Sequence, residues 1–361
     1  MRLFANSIIV LLYLAVMLYL AIAIPITPSE AESFYTSNDL VSKLMHLGDA
    51  LIGGIFGLRF FFLMAGLLSV ISFYIVANDT FNNKKDAVFA TAIFAMLPGI
   101  IIGSVLANIA MLVLLCVLLY LIAYHRKWYM LEIAALAALF LLHDASVLFF
   151  IAIAIYGVVN KEKRTLIYGS VFVILLVFLD RGIEIGGIPK GHFAEIFAIY
   201  ASLFSPFVFL YFMYTIYRIW LREDKSIIWY ISSIALFLSL LLSIRQRIFI
   251  TDFAPYIFIG IIFMMQIYYQ SLRVRLPAFQ VVYKRGLLVS LSILIFSILF
   301  IVSQPLIFSV TNGLYFNFTN KVYRPYLLSQ QLKASGQHCY DTKRIKESYQ
   351  LRYYGITSCK K

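Results

Sequence analysis

Two carboxylates stand directly after the first long apolar run of the chain. Glu30 and Glu32 lie in the segment 25–35, which reads Pro-Ile-Thr-Pro-Ser-Glu-Ala-Glu-Ser-Phe-Tyr. A carboxylate at the edge of a membrane is suited to act as a general base or to hold a divalent cation. Pro28 before Ser29 and Glu30 also reads as an ordinary helix start, where acids are favoured in the first turn. Residues two apart lie on different helix faces, so we expect only one of the two carboxylates to be catalytic.

Arginines form the second group of residues that could do chemistry. Arg245 and Arg247 flank the end of the apolar run 227–244, and Arg59 stands at the start of the run 58–77. A guanidinium fork matches phosphate oxygens better than a lysine ammonium does, so these three residues predict a phosphate site. Arginines at the ends of membrane spans also act as anchors that reach the lipid headgroups. Both interpretations stay open from the residues alone.

Further polar residues interrupt the apolar sequence where a cavity could form. His143 and Asp144 separate two short apolar runs, Asn108 lies near the end of another, and Lys190 and His192 lie in a glycine-rich loop. Ionisable groups at membrane depth are costly and often functional, and loops often carry substrate contacts. The alternatives are a simple turn for the dipeptide, a helix-to-helix hydrogen bond for the asparagine and a solvated loop for the last two.

Composition decides which elements must position these groups. Of 361 residues, 62% are hydrophobic and only 13% are charged, whereas soluble domains carry about 25% charged residues. Such a chain predicts an all-α polytopic membrane protein, because helices satisfy their own backbone groups in lipid. The apolar runs predict about eleven transmembrane helices, at 5–24, 58–77, 87–103, 105–124, 129–142, 145–159, 165–180, 197–218, 227–244, 253–269 and 287–305. The runs 129–142 and 145–159 are short for a full span, so a re-entrant or tilted pair is the alternative for them.

The basic residues predict an orientation. With a cytoplasmic N-terminus, fifteen of the 30 lysines and arginines fall on the inside, six fall on the outside and nine lie in the C-terminal tail. This asymmetry follows the positive-inside rule and places the tail outside. The net charge of +13 comes mostly from these short clusters, so we do not expect nucleic-acid binding.

Three outer segments are too long or too polar to be simple turns, at 25–57, 181–196 and from about 309 to the end. The first has an amphipathic pattern at 40–47 that predicts a helix lying in the membrane interface. We therefore divide the chain into a transmembrane domain at 1–308 and a short soluble tail at 309–361. Cys339 and Cys359 in the tail predict either a disulfide, in an oxidising compartment, or two free thiols.

The order of these features resembles the membrane-embedded GT-C glycosyltransferases, in particular the protein O-mannosyltransferases and the lipid A aminoarabinose transferases. The family places Asp-Glu-Ala and a nearby Tyr after its first span, where this chain has 29–31 (Ser-Glu-Ala) and Tyr35. Its Gly-x-Arg at the second span matches 57–59, and its later Arg-Tyr stretch with a following Pro is similar to 247–255. The tail looks like a shortened form of the family's soluble C-terminal domain.

This chain also departs from the family pattern. Ser29 replaces the leading Asp, so the base role would pass to Glu30 or Glu32. The dipeptide at 143–144 stands where the family often has a Lys, and Ile248 replaces the Tyr of Arg-Tyr.

The resemblance implies transfer of a sugar from a polyprenyl-phosphate-linked donor to an envelope lipid, glycan or protein. The reaction would take place at the outer leaflet of a bacterial inner membrane, with the tail in the periplasm. Arg59, Arg245 and Arg247 would hold the donor phosphate, and Tyr35 would join His143, Asp144, Asn108, Lys190 and His192 around the cavity. No cofactor is implied with certainty, and a divalent cation (Mg²⁺ or Mn²⁺) stays open.

Two other functions share some of these features. A lipid or small-molecule transporter or flippase would place charges near the membrane midplane, often in repeated halves. An O-antigen polymerase or ligase would also have an outer active face, but with its main polar loop late in the chain. Charges crowd one face here and no halves repeat, and the chain lacks the motifs of a P-loop ATPase, a zinc protease or a serine hydrolase. These observations favour the transferase.

Overall fold

The computed structural model describes residues 2–183, 186, 191–311 and 320–359. Lys190, one of the predicted cavity residues, lies outside this part of the chain. The described residues form eighteen α-helices and two 3-10 helices, with a single isolated bridge between Cys339 and Thr357 in place of a sheet. This all-helical architecture agrees with the predicted fold class.

The helices follow the apolar runs of the sequence closely. The first nine are α1 (Arg2–Ala23), α2 (Pro28–Thr36), α3 (Leu40–Ile52), α4 (Gly54–Thr80), α5 (Lys84–Met96), α6 (Pro98–Val105), α7 (Ile109–Arg126), α8 (Tyr129–Leu142) and α9 (Val147–Val159). The other nine are α10 (Lys163–Phe178), α11 (Phe193–Phe204), α12 (Pro206–Arg222), α13 (Ile227–Arg245), α14 (Ala254–Phe258), α15 (Ile261–Val274), α16 (Pro277–Thr311), α17 (Asn320–Ala334) and α18 (Ile345–Tyr353). Short 3-10 helices at Asp144–Ser146 and Ile250–Asp252 precede α9 and α14.

In the described part of the chain, five helical segments are long and apolar enough to cross a bilayer. They are α4, α7, α13, the segment formed by α14 and α15, and α16. The number rises to eight if each of three bent pairs is one span: α1 with α2, α5 with α6, and α11 with α12. The chain is thus a multi-pass membrane protein. The count of eleven spans stays a prediction, because α8, α9 and α10 are shorter than this criterion requires.

Two apolar runs that hydropathy treats as straight spans are broken in the structure. The run 197–218 bends by 106° between α11 and α12, where Ser205 has a φ of 73° and Pro206 opens the new helix. The run 87–103 bends by 60° at Leu97, before Pro98. Proline fits the first turn of a helix and cannot donate a backbone hydrogen bond, so each proline starts a helix in a new direction.

Successive helices alternate between two ends of the bundle. One end, which we call the loop face, carries α2, α3, the described tail (320–359) and the turns at 106–108, 143–146, 179–183 and 246–253. The other end, which we call the opposite face, carries the turns at 81–83, 127–128, 160–162, 223–226 and 275–276. Ion pairs cross between neighbouring turns at the opposite face, such as Arg126 to Asp79 at 3.0 Å and Arg273 to Asp86 at 3.6 Å. Which face lies outside the cell stays a prediction.

Glycines allow the closest helix contacts. A Cβ added at Gly48 of α3 would collide with the carbonyl oxygen of Gly57 in α4. A Cβ added at Gly169 of α10 would lie 2.7 Å from the backbone nitrogen of Ala154 in α9. Small residues at helix interfaces let backbones approach in this way. The first contact fixes α3 on the start of α4, where Arg59 lies.

The described tail packs onto the first loop. Gln350 of α18 donates to the carbonyl oxygen of Ile26 at 2.8 Å, and the backbone N–H of Ile26 donates to the Tyr354 hydroxyl at 3.1 Å. A disulfide joins Cys339 and Cys359 across 20 residues and closes the end of the tail. The tail therefore covers the same loop that holds the predicted catalytic carboxylates.

Candidate active site

Glu30 is positioned by the start of α2. The Thr27 hydroxyl oxygen accepts the backbone N–H of Glu30 at 3.2 Å, and the Glu30 carboxylate accepts the backbone N–H of Thr27 at 2.9 Å. This reciprocal pair is a capping box, with Pro28 in the first turn. The helix-start interpretation of this segment is therefore correct, and it aims the carboxylate back toward the membrane domain.

The Glu30 carboxylate is fully enclosed. Besides Thr27 it accepts the Arg59 Nε–H at 2.9 Å, an Arg59 Nη2–H at 2.7 Å and the backbone N–H of Ala107 at 2.9 Å. Each oxygen thus accepts two hydrogen bonds, which uses the lone pairs that a carboxylate offers. Both residues are buried: 1% of the surface of Glu30 and 0% of that of Arg59 is exposed.

Arg59 uses its remaining donors on the chain that links α1 to α2. It donates to the carbonyl oxygens of Ala21 at 2.9 Å, Ile24 at 2.7 Å and Pro25 at 3.1 Å. With the two bonds to Glu30, all five N–H groups of the guanidinium are satisfied. The pair ties together the end of α1, the start of α2, the start of α4 and the turn before α7.

Electrostatics keep Glu30 ionised in this arrangement. Burial raises the pKa of its carboxyl, but the Arg59 charge and the hydrogen bonds from Arg59, Ala107 and Thr27 outweigh that effect, so the pKa is lowered overall. An ionised carboxylate has the charge that a base needs, yet none of its oxygens has a free lone pair for a substrate. The predicted catalytic role of Glu30 and the predicted phosphate role of Arg59 stay predictions, and the geometry favours a structural role for both.

Glu32 is more accessible than Glu30. Its side chain is 40% exposed and forms an ion pair with Lys346 of α18 at 2.6 Å. Tyr35, one turn further on, lies against the tail as well: its ring stacks on Tyr349 with centroids 6.2 Å apart, and the Arg352 guanidinium lies 4.5 Å from its ring centre. The tail thus contacts two of the predicted site residues, Glu32 and Tyr35.

Asp49 is a third carboxylate in this region, and it was not predicted as a site residue. It lies half-buried on α3, and no hydrogen bond or ion pair to it is found among the described residues. Burial raises the pKa of the Tyr35 hydroxyl; the Arg352 charge opposes this shift and the Asp49 charge adds to it. We call Glu30, Glu32, Tyr35, Asp49 and Arg59 the first-loop cluster.

A second group of polar residues gathers where other turns meet at the loop face. His143 Nε2 lies 3.2 Å from Asp252 Oδ1, although 109 residues separate them. Asp144, the next residue, accepts the Arg181 Nε–H at 2.6 Å. Thr251 donates to the same Asp252 oxygen at 3.2 Å. The dipeptide at 143–144 is therefore a turn that also joins three elements through charged groups.

The end of α13 continues this group. Arg247 forms an ion pair with Glu195 at 2.8 Å, and the same carboxylate lies 3.2 Å from His192 Nδ1. Arg245 is exposed and has no hydrogen-bond or ion-pair partner among the described residues. We call His143, Asp144, Arg181, His192, Glu195, Arg245, Arg247 and Asp252 the turn cluster. Of the three predicted phosphate ligands, Arg245 is the one whose guanidinium has no partner among the described residues.

Asn108 has a local structural role in the turn before α7. Its side-chain oxygen accepts the backbone N–H of Ala110 at 2.9 Å, and its amide donates to the carbonyl oxygens of Gly103 and Leu106 at 3.0 Å each. It caps α7 and closes the turn that delivers the Ala107 N–H to Glu30. This use of the amide leaves little of it for a substrate.

The structure brings most predicted site residues to the loop face, in two clusters. No hydrogen bond or ion pair joins one cluster to the other within the ranges that the structure describes. The partners Arg181, Glu195 and Asp252 were not predicted as site residues. A signal for them existed, because each is a charged residue beside an apolar run on the predicted outer side, but nothing in the sequence pairs residues so far apart.

The described residues contain no group of three or more His, Cys, Asp or Glu side chains arranged to hold a metal ion. At the turn cluster Asp144 and Glu195 each pair with an arginine, and Asp252 pairs with His143. These residues do not fit a divalent cation in their present arrangement, so we derive no step through one.

One solved structure shares this fold over nearly the whole chain. The crystal structure of ArnT from Cupriavidus metallidurans in the apo state matches with a TM-score of 0.59 and 13% sequence identity, covering 97% of this chain and 84% of that one. No family model matches this chain, and no curated protein matches it. At this identity the likeness establishes a common fold and leaves substrates open; it supports the GT-C architecture that the sequence resemblance implied.

Proposed function

We propose that this protein is a GT-C glycosyltransferase that moves a sugar from a polyprenyl-phosphate-linked donor to an envelope acceptor at the loop face. The observation that carries the proposal is the fold shared with ArnT across 97% of the chain, since ArnT is a membrane glycosyltransferase. The half-exposed Glu32 and Arg245, which has no ion-pair partner among the described residues, both lie at the loop face and support it. A lipid-borne phosphosugar presents its reactive bond at the edge of the membrane, which is where such charges can act.

Arg245 is our candidate for the donor phosphate. Its guanidinium is exposed, and the described residues provide no carboxylate that would have to be displaced. Arg247 is held by Glu195 at 2.8 Å, and Arg59 has no free donor. A fork that binds the phosphate would stabilise the negative charge left on the polyprenyl phosphate as the sugar departs.

Glu32 is our candidate for the group that orients or deprotonates the acceptor hydroxyl. It is half-exposed, and its one ion-pair partner among the described residues, Lys346, is a surface ammonium on the tail. Glu30 then acts as a positioning residue, because it holds α2 through Arg59 and Ala107. Asp49 is the competing carboxylate, since it lies on the same side of the bundle without an ion-pair partner among the described residues.

The test separates donor binding from turnover in reconstituted protein. We expect Arg245→Gln to weaken binding of a polyprenyl-phosphate sugar about 10-fold or more, because a charge-assisted pair is lost. We expect Glu32→Gln to lower turnover about 100-fold, the usual scale for general-base loss, while donor binding stays within twofold. Arg324→Gln, a tail arginine outside both clusters, is the matched control.

Two results would argue against these assignments. Full turnover in Glu32→Gln together with loss in Asp49→Asn would move the base role to Asp49. Unchanged donor binding in Arg245→Gln would remove the phosphate site from the turn cluster.

A further inference from the structure

An apolar groove runs along the side of the bundle, away from both clusters. It has a volume of about 490 Å³ and lies between α5, α12, α15 and α16, within the range of about 300–1,000 Å³ typical of ligand pockets. Its walls include Ile93, Tyr211, Met264, Tyr283 and Leu287. One end lies next to Arg275, in the turn between α15 and α16 at the opposite face.

The groove is long enough to extend across one leaflet. It extends along α16 from the turn at Arg275 to Leu291, which is about 20 Å of helix, and one leaflet contributes about half of a hydrocarbon core of ~30 Å. Helix α16 forms the outer wall of the groove, and only 6% of its most apolar stretch is buried inside the protein. Lipid chains therefore have direct access, and a Cβ added at Gly286 in the wall would meet open space.

A basic cleft of about 480 Å³ adjoins the groove and shares Arg275 with it. Arg218 and Arg222 also line it, beside two tyrosines, and no acidic residue does. Arg218 donates to the Ser271 hydroxyl and, at 3.2 Å, to Glu223. Arg275 stacks over the Tyr283 ring at 4.3 Å.

The charges of Arg222 and Arg275 are not neutralised by a carboxylate among the described residues. Among the described residues no carboxylate pairs with Arg222 or Arg275, and the adjacent acids are Glu223, held by Arg218, and the exposed Asp224. Arginine forks that are not neutralised are well suited to a phosphate. An apolar groove that ends at such a cleft has room for an acyl chain, and the cleft has a charge complementary to an anionic headgroup turned toward the opposite face.

We propose that this composite site binds an anionic phospholipid of the leaflet at the opposite face. An acyl chain fills the groove behind α16, and the headgroup phosphate lies between Arg222 and Arg275. The site is separate from the proposed donor site at the loop face and does not depend on it. The lipid would hold the otherwise loosely packed α16 against α12 and α15.

Lipid retention measured by native mass spectrometry tests this site. The full-length protein is stripped with detergent and titrated with phosphatidylglycerol, with phosphatidylcholine and with undecaprenyl phosphate. We expect one phosphatidylglycerol to be retained at least 10-fold more tightly than phosphatidylcholine. Arg222→Gln with Arg275→Gln should abolish that preference, and Gly286→Trp, which fills the groove, should reduce retention of phosphatidylglycerol by a similar factor.

Matched controls decide between this site and general surface charge. Lys84→Gln with Lys85→Gln removes two exposed cations from the same face, and Leu288→Trp adds bulk to the exposed side of α16; both should leave retention unchanged. Equal losses from the lysine and arginine pairs would overturn the proposal. So would retention of undecaprenyl phosphate without phosphatidylglycerol in a manner that depends on Arg222 and Arg275, because the occupant would then be the donor lipid.

Discussion

At the scale of single residues, the Glu30–Arg59 pair shows how a charge pattern can be interpreted in two ways. Sequence spacing places an acid after the first span and an arginine at the second. This pattern fits a catalytic role and a structural role equally well. In the structure the two side chains lie 2.7 Å apart, and every hydrogen-bond donor and acceptor of these two side chains has a partner within the protein. Only the partners distinguish a structural pair from a catalytic one, and partners 29 and 77 positions away in the chain cannot be inferred from local sequence.

The first prediction concerns the stability of this pair. Glu30→Gln leaves the buried Arg59 without a countercharge, and loss of one partner of a buried ion pair costs about 3–5 kcal/mol. We expect a clear fall in the thermal unfolding midpoint in detergent. Glu32→Gln, which removes a half-exposed surface pair, should change stability by less than about 1 kcal/mol. Similar midpoints for the two variants would contradict the structural role.

The second prediction concerns pH. The folded-state pKa of Glu30 is lowered from its ordinary value of 4.5, so its contribution to stability is fully present above that value. The contribution is lost as the pH falls from there through the folded-state pKa. The wild-type protein should therefore lose more stability than Glu30→Gln when the unfolding midpoint is followed downward from about pH 5. Parallel pH profiles of the two proteins would show that the pair contributes nothing.

At the scale of elements, hydropathy predicted where helices form and failed to predict where they bend. The runs at 58–77, 105–124, 227–244 and 253–269 all lie largely within helices long enough to span. The bend at Ser205 was missed because apolar residues continue on both sides of Pro206, and a hydropathy window cannot detect the positive φ of 73° at the serine. Proline at a helix start and proline inside a helix look alike in composition, and their difference depends on packing.

The tail shows contacts that the sequence did not predict. A short soluble tail was expected, and its described part docks on the first loop through Gln350, Tyr354 and the Lys346–Glu32 pair. These contacts involve helices α2 and α18, which lie more than 300 residues apart in the chain. The disulfide was one of two alternatives that the cysteine spacing left open, and the structure contains it.

The third prediction tests how this disulfide supports the docked tail. Closing a loop of 20 residues contributes about 3 kcal/mol in the chain-entropy model. We expect Cys339→Ser with Cys359→Ser to make the tail more sensitive to limited proteolysis, with cleavage in 335–345 rising several-fold. Cys116→Ser, which changes a thiol away from the tail, is the control. Equal protection of the double variant and the wild type would show that the contacts with α2 hold the tail without the bond.

At the scale of the whole molecule, the fold explains why most of the predicted site residues lie at one end of the bundle. Alternating helices return the chain to the loop face after α1, α6, α8, α10, α13 and α16, and the polar residues that follow these helices meet there. The sequence predicted this gathering from connectivity and charge. It could not predict that these residues divide into a first-loop cluster and a turn cluster, because the contacts within each cluster join positions far apart in the chain.

The fold shared with ArnT covers nearly all of this chain and 84% of that one. The common architecture therefore includes the loop face as well as the spans. The chemistry carried on that architecture depends on the individual side chains, and the two proteins share only 13% of their residues. For this reason we base the proposed donor and base sites on Arg245, which is exposed and has no partner in the described part of the chain, and on the half-exposed Glu32.

The most direct test of the transferase assignment follows the fate of the donor. Wild-type protein in liposomes is supplied with a polyprenyl-phosphate sugar labelled in the sugar, together with a bacterial envelope fraction as acceptor source. We predict that label moves to the acceptor while free polyprenyl phosphate accumulates in equal amount, and that Glu32→Gln lowers the rate of both about 100-fold. Movement of the intact labelled donor between leaflets, without release of polyprenyl phosphate, would contradict the assignment and indicate a transporter.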